Sequence, residues 1–192
     1  MSLEKNKNYI VSGLERSGTS MLMQILKAAE LPVAFDDERK ADESNPKGYY
    51  ELEGGKIINR LMENSFSFEK YKGQFIKITS YGIKFLPKGD YKIIYSERNI
   101  EEILDSMERM AQISDENREE TKDVFIKLND MIKQKIKKRD DADCLFVNYN
   151  QILENPHENI KKIHEYLNLP KEKLNDMINV VDNRLYRQRR KK

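Results

Sequence analysis

The chain has 192 residues, 38% hydrophobic and 35% charged, with 35 Lys and Arg against 33 Asp and Glu for a net charge of +2. That length buries a core without staples and reads as a single domain, 1–192. One cysteine, Cys144, and two histidines, His157 and His164, exclude an intramolecular disulfide, a multi-cysteine metal site and a histidine-rich metal centre. No long apolar run and no signal-like N-terminus is present, so a soluble cytoplasmic protein without a transmembrane segment is expected. The charge is uneven. Residues 184–192, RLYRQRRKK, hold six basic residues and no acid, which leaves 1–183 at −4. A basic tail of this kind is as often a solvated end as a ligand contact.

In chain order, residues 9–12 (YIVS) predict a short strand that meets Gly13. Residues 13–20 (GLERSGTS) form a tight polar loop, and 21–29 place Met21, Leu22, Ile25, Leu26 and Ala29 at helical spacing. Residues 35–52, with SNPKGYYE, read as a polar surface segment, followed by a helix near 53–63. Residues 74–78 and 91–96 predict the second and third strands. Helix 100–112 follows at once, with Asn99 and Glu102 in a capping-box pattern. A longer helix over 115–139 is expected to bury Val124, Leu128, Met131, Ile132 and Ile136. Residues 144–148 predict a fourth strand. Asn155-Pro156 opens a helix carrying Ile160, Ile163 and Leu167, and a last helix holds Leu174, Met177, Ile178 and Val181. Strands that repeatedly precede helices predict an α/β fold, a parallel sheet covered on both faces.

Two places in this pattern suit anions. The loop between first strand and first helix offers the unpaired N–H groups of a helix start, the charge of Arg16, and hydroxyls at Ser17, Thr19 and Ser20 around Gly18. Its GxxxxG spacing is that of a Walker A loop, but Thr19 stands where that motif has lysine. The bland alternative is a capped turn. Arg98 ends the third strand, and Ser106 lies eight residues on, two helical turns along, so both can converge on one anion at the carboxyl edge of the sheet. The alternative is that Arg98 pairs with Glu101 or Glu102.

These residues resemble the sulfotransferases that use 3'-phosphoadenosine 5'-phosphosulfate (PAPS), in their short bacterial and archaeal form. VSGLERSGTSMLMQIL (11–26) is similar to their 5'-phosphosulfate loop, and KIIYSERNIEEILDSMERM (92–110) to their 3'-phosphate segment. CLFVNYNQILENPHENIKKIHEYLNLP (144–170) resembles their Tyr-acid block, with Asn150 in place of the acid, and NPKGYYE (45–51) a stretch of the microbial branches. The resemblance implies a three-layer α/β/α fold of P-loop nucleoside triphosphate hydrolase type. It implies that Arg16, Ser17, Gly18, Thr19 and Ser20 hold the phosphosulfate and that Arg98 and Ser106 hold the 3'-phosphate. Tyr149 joins the cofactor site, with Arg184 and Arg187 of the tail as further 3'-phosphate candidates beside Arg189 and Arg190.

It implies PAPS as donor, no required metal, and a hydroxyl or amine acceptor on a small molecule, sugar, lipid or peptide, with no nucleic-acid partner. Arg16 and Glu51 are the expected catalytic residues. Many members carry a histidine after the second strand; here that region reads KITSYGIKFLP, so Glu51 is the candidate base, ahead of Glu53 and Glu97. Its alternative is a surface acid. Lys77 is expected to face the site, and Tyr49, Tyr50 and Tyr81 either line an acceptor pocket or pack. A P-loop phosphotransferase and a sulfotransferase homologue with altered catalysis are the competing readings.

Overall fold

The computed structural model describes residues 3–182 and 184. Four strands, β1 (Asn8–Gly13), β2 (Phe75–Lys77), β3 (Tyr91–Glu97) and β4 (Ala142–Asn148), form one sheet in the order β2-β1-β3-β4. Every pairing is parallel. The helices are α1 (Thr19–Ala28), α2 (Ile57–Met62), α3 (Ile100–Ala111), α4 (Arg118–Lys137), α5 (Tyr149–Glu154), α6 (Pro156–Tyr166) and α7 (Lys173–Asn179).

β1 is buried along its whole length, which is why its sequence alternates nothing: a central parallel strand is covered on both faces. Successive side chains serve different layers. Tyr9 and Val11 enter one core with Leu22, Ile25 and Leu26 of α1, Ile152 of α5, Ile160 and Ile163 of α6 and Met177 of α7. Ile10 enters the other with Ile57 and Leu61 of α2 and Ile132 and Ile136 of α4. The sandwich of helices, sheet and helices is the expected three-layer α/β/α architecture.

The register puts the chemistry at one edge. Val11 pairs with Lys77, Gly13 with Ser96 and Glu97 with Asn148. Because all four strands run the same way, the loop after β1, the end of β2, Arg98 and Tyr149 emerge together.

Several elements differ from expectation. The helix near 53–63 is a 3-10 turn, Glu53–Gly55, followed by the short α2. The predicted 115–139 helix is α4, and Val124 and Met131 on its supposed buried side are 59% and 42% exposed. The C-terminal half of α4 packs on the 3-10 segment Ser80–Phe85, where Lys135 donates to the Lys84 carbonyl. Its first turn is tied to α3 by Arg118, which pairs with Glu101, Asp105 and Glu108, and the buried side of the helix is confined to Ile132 and Ile136. No sequence signal marks the short α5. Asn148 caps it by accepting from the Gln151 N–H at 3.0 Å, whereas Asn155 makes no side-chain cap bond at the start of α6. Asn99 does cap α3, accepting from the Glu102 N–H. Among the described residues no helix is long and apolar enough to cross a membrane.

Candidate functional site

The loop between β1 and α1 turns on two glycines. Gly13 has φ 152°, and a Cβ there would stand 2.4 Å from Ser17 Oγ and 2.6 Å from the Ser96 carbonyl oxygen. Gly18 has φ 97°, and its Cβ would stand 2.2 Å from Tyr149 Cδ2. The loop is therefore pressed between β3 and α5. Gly18 is the N-cap of α1, and no side chain caps that helix, so its first-turn N–H groups face outward for an anion.

A cavity of about 420 Å³ opens beside this loop, within the usual range of ligand sites. Arg16, Gly18, Thr19, Ser20, Glu51, Lys77, Arg98, Ser106 and Tyr149 all line it. Its wall carries six cationic side chains (Arg16, Arg39, Lys56, Lys77, Arg98 and Arg109) against three acids, Glu15, Glu51 and Asp182. That donor set suits a multiply anionic ligand.

At one end Arg16 reaches across to α3, where its Nε donates to Ser106 Oγ at 2.9 Å and its NH2 to the Ser44 carbonyl at 3.4 Å. Arg98 NH1 donates to the Arg16 carbonyl at 2.9 Å, and its Nε to Glu102 Oε2 at 3.2 Å. Its guanidinium lies 4.5 Å from the centre of the Tyr149 ring. So Arg98 and Ser106 share the cavity as the spacing suggested, but they meet through Arg16, and Arg98 also forms the Glu102 pair that was the competing reading. Asn150 Nδ2 donates to the same Glu102 Oε2 at 2.9 Å. An acid at 150 would set two carboxylates in contact, which gives a physical reason for the amide there.

At the other end Lys77 is buried, its side chain 6% exposed. Its Nζ donates to Glu51 Oε1 at 2.8 Å, to the Tyr49 carbonyl at 2.9 Å and to Ser20 Oγ at 3.1 Å. Burial lowers the Lys77 pKa, and Glu51 opposes that shift. Glu51 is buried too, which removes the surface-acid alternative. Its Oε2 accepts from Arg39 NH1 at 3.0 Å. Arg39 lies 3.6 Å over the Tyr49 ring, and the Tyr49 hydroxyl donates to Asp42. Arg39 carries no motif in the sequence, and only its stacking and its ion pair reveal it.

Backbone strain gathers here. Arg16, Tyr50 and Glu53 have φ of 64°, 54° and 52°. The other positive-φ residues outside glycine, Glu30, Asn64, Gln112 and Asn168, each follow a helix end, where a left-handed residue is ordinary. Arg16, Tyr50 and Glu53 have no such excuse, and strain of this kind concentrates at functional sites.

Other expected residues lie elsewhere. Ser17 is fully buried, and its hydroxyl has no partner; it points into the loop toward Gly13, away from the cavity. Its carbonyl accepts from Ser96 Oγ at 2.7 Å, so its part is to brace the loop. Glu53 pairs with Arg60 and Glu97 with Lys133, both outside the cavity. Tyr50 packs on Phe35, and Tyr81 on Phe85, leaving Tyr49 as the tyrosine of that group in the wall. His157 is exposed, and His164 is buried against the Pro170 carbonyl. Arg184 is exposed and paired with Asp182; Arg187, Arg189 and Arg190 lie outside the described residues. Among the described residues no group of three or more His, Cys, Asp or Glu converges as for a metal ion.

The sulfotransferase domain family matches residues 6–190. No curated protein matches the chain in sequence. Solved structures that share its fold include three sulfotransferases. The mouse sulfotransferase SULT7A1 complexed with PAP is 13% identical, with TM-score 0.56 over 95% of this chain and 66% of that one. Sulfotransferase STF1 from Mycobacterium tuberculosis H37Rv is 18% identical, with TM-score 0.54 over 92% of this chain and 72% of that one. The sulfotransferase domain of the Synechococcus PCC 7002 olefin synthase is 14% identical, with TM-score 0.51 over 91% and 80%. The chain thus spans just under two thirds of the mouse protein. With nearly its whole length matched by one family, and with that family's fold around a cationic cavity, the chain belongs to the sulfotransferases.

Proposed function

We propose that this protein transfers a sulfuryl group from PAPS to a hydroxyl or amine of an acceptor, a small molecule, sugar, lipid headgroup or peptide, in the cytoplasm and as one domain. The observation that carries the reading is the continuity of the cavity beside the glycine loop. It joins an uncapped helix start and a cationic wall at one end to the buried Lys77–Glu51 pair at the other. The donor set fits the donor nucleotide. Arg16, Thr19, Ser20 and the N–H groups opening α1 would hold its 5'-phosphosulfate, and Arg98 and Ser106 its 3'-phosphate, with Tyr149 beside them. Arg184 and Arg187 are candidates to join that group from the tail.

When bound, PAPS supplies an electrophilic sulfuryl group on a phosphate leaving group, and the reaction so read uses no metal. Lys77 and Arg16 meet charge that develops on the transferred group and on the leaving phosphate. Glu51 takes the acceptor's proton. Lys77 also fixes Glu51 by an ion pair, so cation and base stand in one geometry.

Calorimetry with 3'-phosphoadenosine 5'-phosphate (PAP) and with ATP tests the reading. The bisphosphate is expected to bind more tightly. Arg98→Ala is expected to weaken it by roughly 10- to 100-fold, the worth of a charge-assisted contact. Tighter binding of ATP would overturn the assignment and favour a phosphotransferase.

A further inference from the structure

Both carboxylate oxygens of the candidate base are occupied. Glu51 Oε1 accepts from Lys77 and Oε2 from Arg39. With each oxygen already accepting from a cation, neither faces an incoming hydroxyl, so one cation must leave before Glu51 can act as a base. The two differ in freedom. Lys77 is 6% exposed and has two further acceptors, Ser20 Oγ and the Tyr49 carbonyl. Arg39 is 39% exposed, sits in an irregular segment, and has the Tyr49 ring as its other support. Arg39 is the cation that can be drawn away, and another anion is what would draw it.

A second cation stands at the same place. Lys56 is exposed, lines the cavity, and forms no ion pair among the described residues. The backbone leading into it passes against the oxygen that Arg39 holds: a Cβ on Gly55 would stand 3.0 Å from Glu51 Oε2. Arg16 and Arg98 are gathered at the far end with Ser106, and Arg109 belongs to the same helix as Ser106, so Arg39 and Lys56 are the two cations of this end left over after the nucleotide's anions are matched.

We propose that the acceptor carries a carboxylate or similar oxyanion, which binds Arg39 and Lys56 and draws Arg39 off Glu51, so that the right acceptor uncovers its own base. This rests on the sulfotransferase reading of the same cavity. Once freed, Glu51 Oε2 takes the acceptor's hydroxyl proton as the acceptor oxygen bonds to sulfur. The bond from sulfur to the 5'-phosphate oxygen breaks, and its electron pair stays on that phosphate.

The test compares acceptors that differ only in charge: 4-hydroxyphenylacetate against 4-hydroxyphenylacetamide, and methyl glucuronoside against its amide, with radiolabelled PAPS. The acid of at least one pair is expected to have a kcat/KM at least about tenfold above its amide, the worth of one charged contact. Arg39→Leu is expected to abolish that preference, the kcat/KM for the acid falling to that for the amide. Lys56→Met, an exposed change that spares folding, is expected to reduce the preference by raising KM for the acid alone. Equal use of acid and amide, or equal loss of both in Arg39→Leu, would overturn the proposal. If neither pair turns over, calorimetry of 4-hydroxyphenylacetate onto the PAP-saturated protein decides, and no binding overturns it. PAP binding in the same titration reports the parent reading separately.

Discussion

The two ends of the cavity are built by different means. The loop end is made where regular elements stop and start: β1 into α1, β3 into α3, β4 into α5. Its loop is wedged between Ser96 and Tyr149 with no room for a Cβ at Gly13 or Gly18. The other end is made by an irregular segment, 36–56, and is held by long side chains: Arg39 on Tyr49, Lys77 on Glu51, Tyr49 on Asp42. A cradle of backbone N–H groups suits the first construction, because strand and helix ends set its geometry. A site that must fit one acceptor suits the second, because side-chain pairs can be exchanged without disturbing the sheet.

The largest expected effect tests whether chemistry belongs to the second end alone. Glu51→Gln should lower turnover by roughly 10²- to 10⁴-fold, the usual worth of a general base, with PAP affinity measured by calorimetry nearly unchanged. A parallel loss of PAP binding would erase the division between the ends.

Gly18→Ala attacks the first end. It forces a side chain into Tyr149 at a left-handed φ, and should cost roughly 2–5 kcal/mol in urea unfolding from overpacking and strain together. An unchanged midpoint would mean that the loop is looser than its contacts indicate.

Next, Lys77→Met leaves a buried carboxylate with one cation and should cost about 3 kcal/mol, whereas the double variant Lys77→Met with Glu51→Leu should recover much of that loss. Additive losses would mean that the pair does not hold this end together.

The smallest effect lies at the far edge of the sheet. Tyr91 is buried at the start of β3, and burial pushes its phenol up to about 12. A group whose pKa is raised by folding stabilises the fold below its unfolded pKa of about 10, and that stability is lost as pH rises toward 12. Tyr91→Phe should flatten the alkaline decline measured by denaturant titration across that window, at the expense of about 1 kcal/mol for its hydrogen bond to the Pro87 carbonyl.

The first end was largely legible in the sequence and the second was not. A strand, a glycine loop and a helix leave a local signature, and Asn99 announced its cap. Lys77 was suspected because a lysine ended an otherwise apolar strand, and Glu51 because it closed a distinctive polar stretch. Arg39 left no trace, since its partners are twelve and ten residues away through an irregular chain and no period links them. Ser17 misled because a hydroxyl beside Gly18 says nothing of the direction its side chain takes; the close approach of Gly13 and Ser96 decides that. Val124 and Met131 misled because apolar spacing records a face without recording whether a layer lies opposite it.

The wedge of Tyr149 against Gly18 also orders events during synthesis. The glycine loop is encoded in the first 20 residues, yet its outer wall arrives with residue 149, and α1 receives α7 only from residue 173 onward. Central β1 likewise waits for partners drawn from residues 75–77 and 91–97. Such long-range closure slows folding and leaves the early chain open to wrong partners. A nascent chain halted before residue 149 therefore carries every residue of the glycine loop but lacks the surface that shapes it, so ligand binding should be acquired late and abruptly as the chain leaves the ribosome.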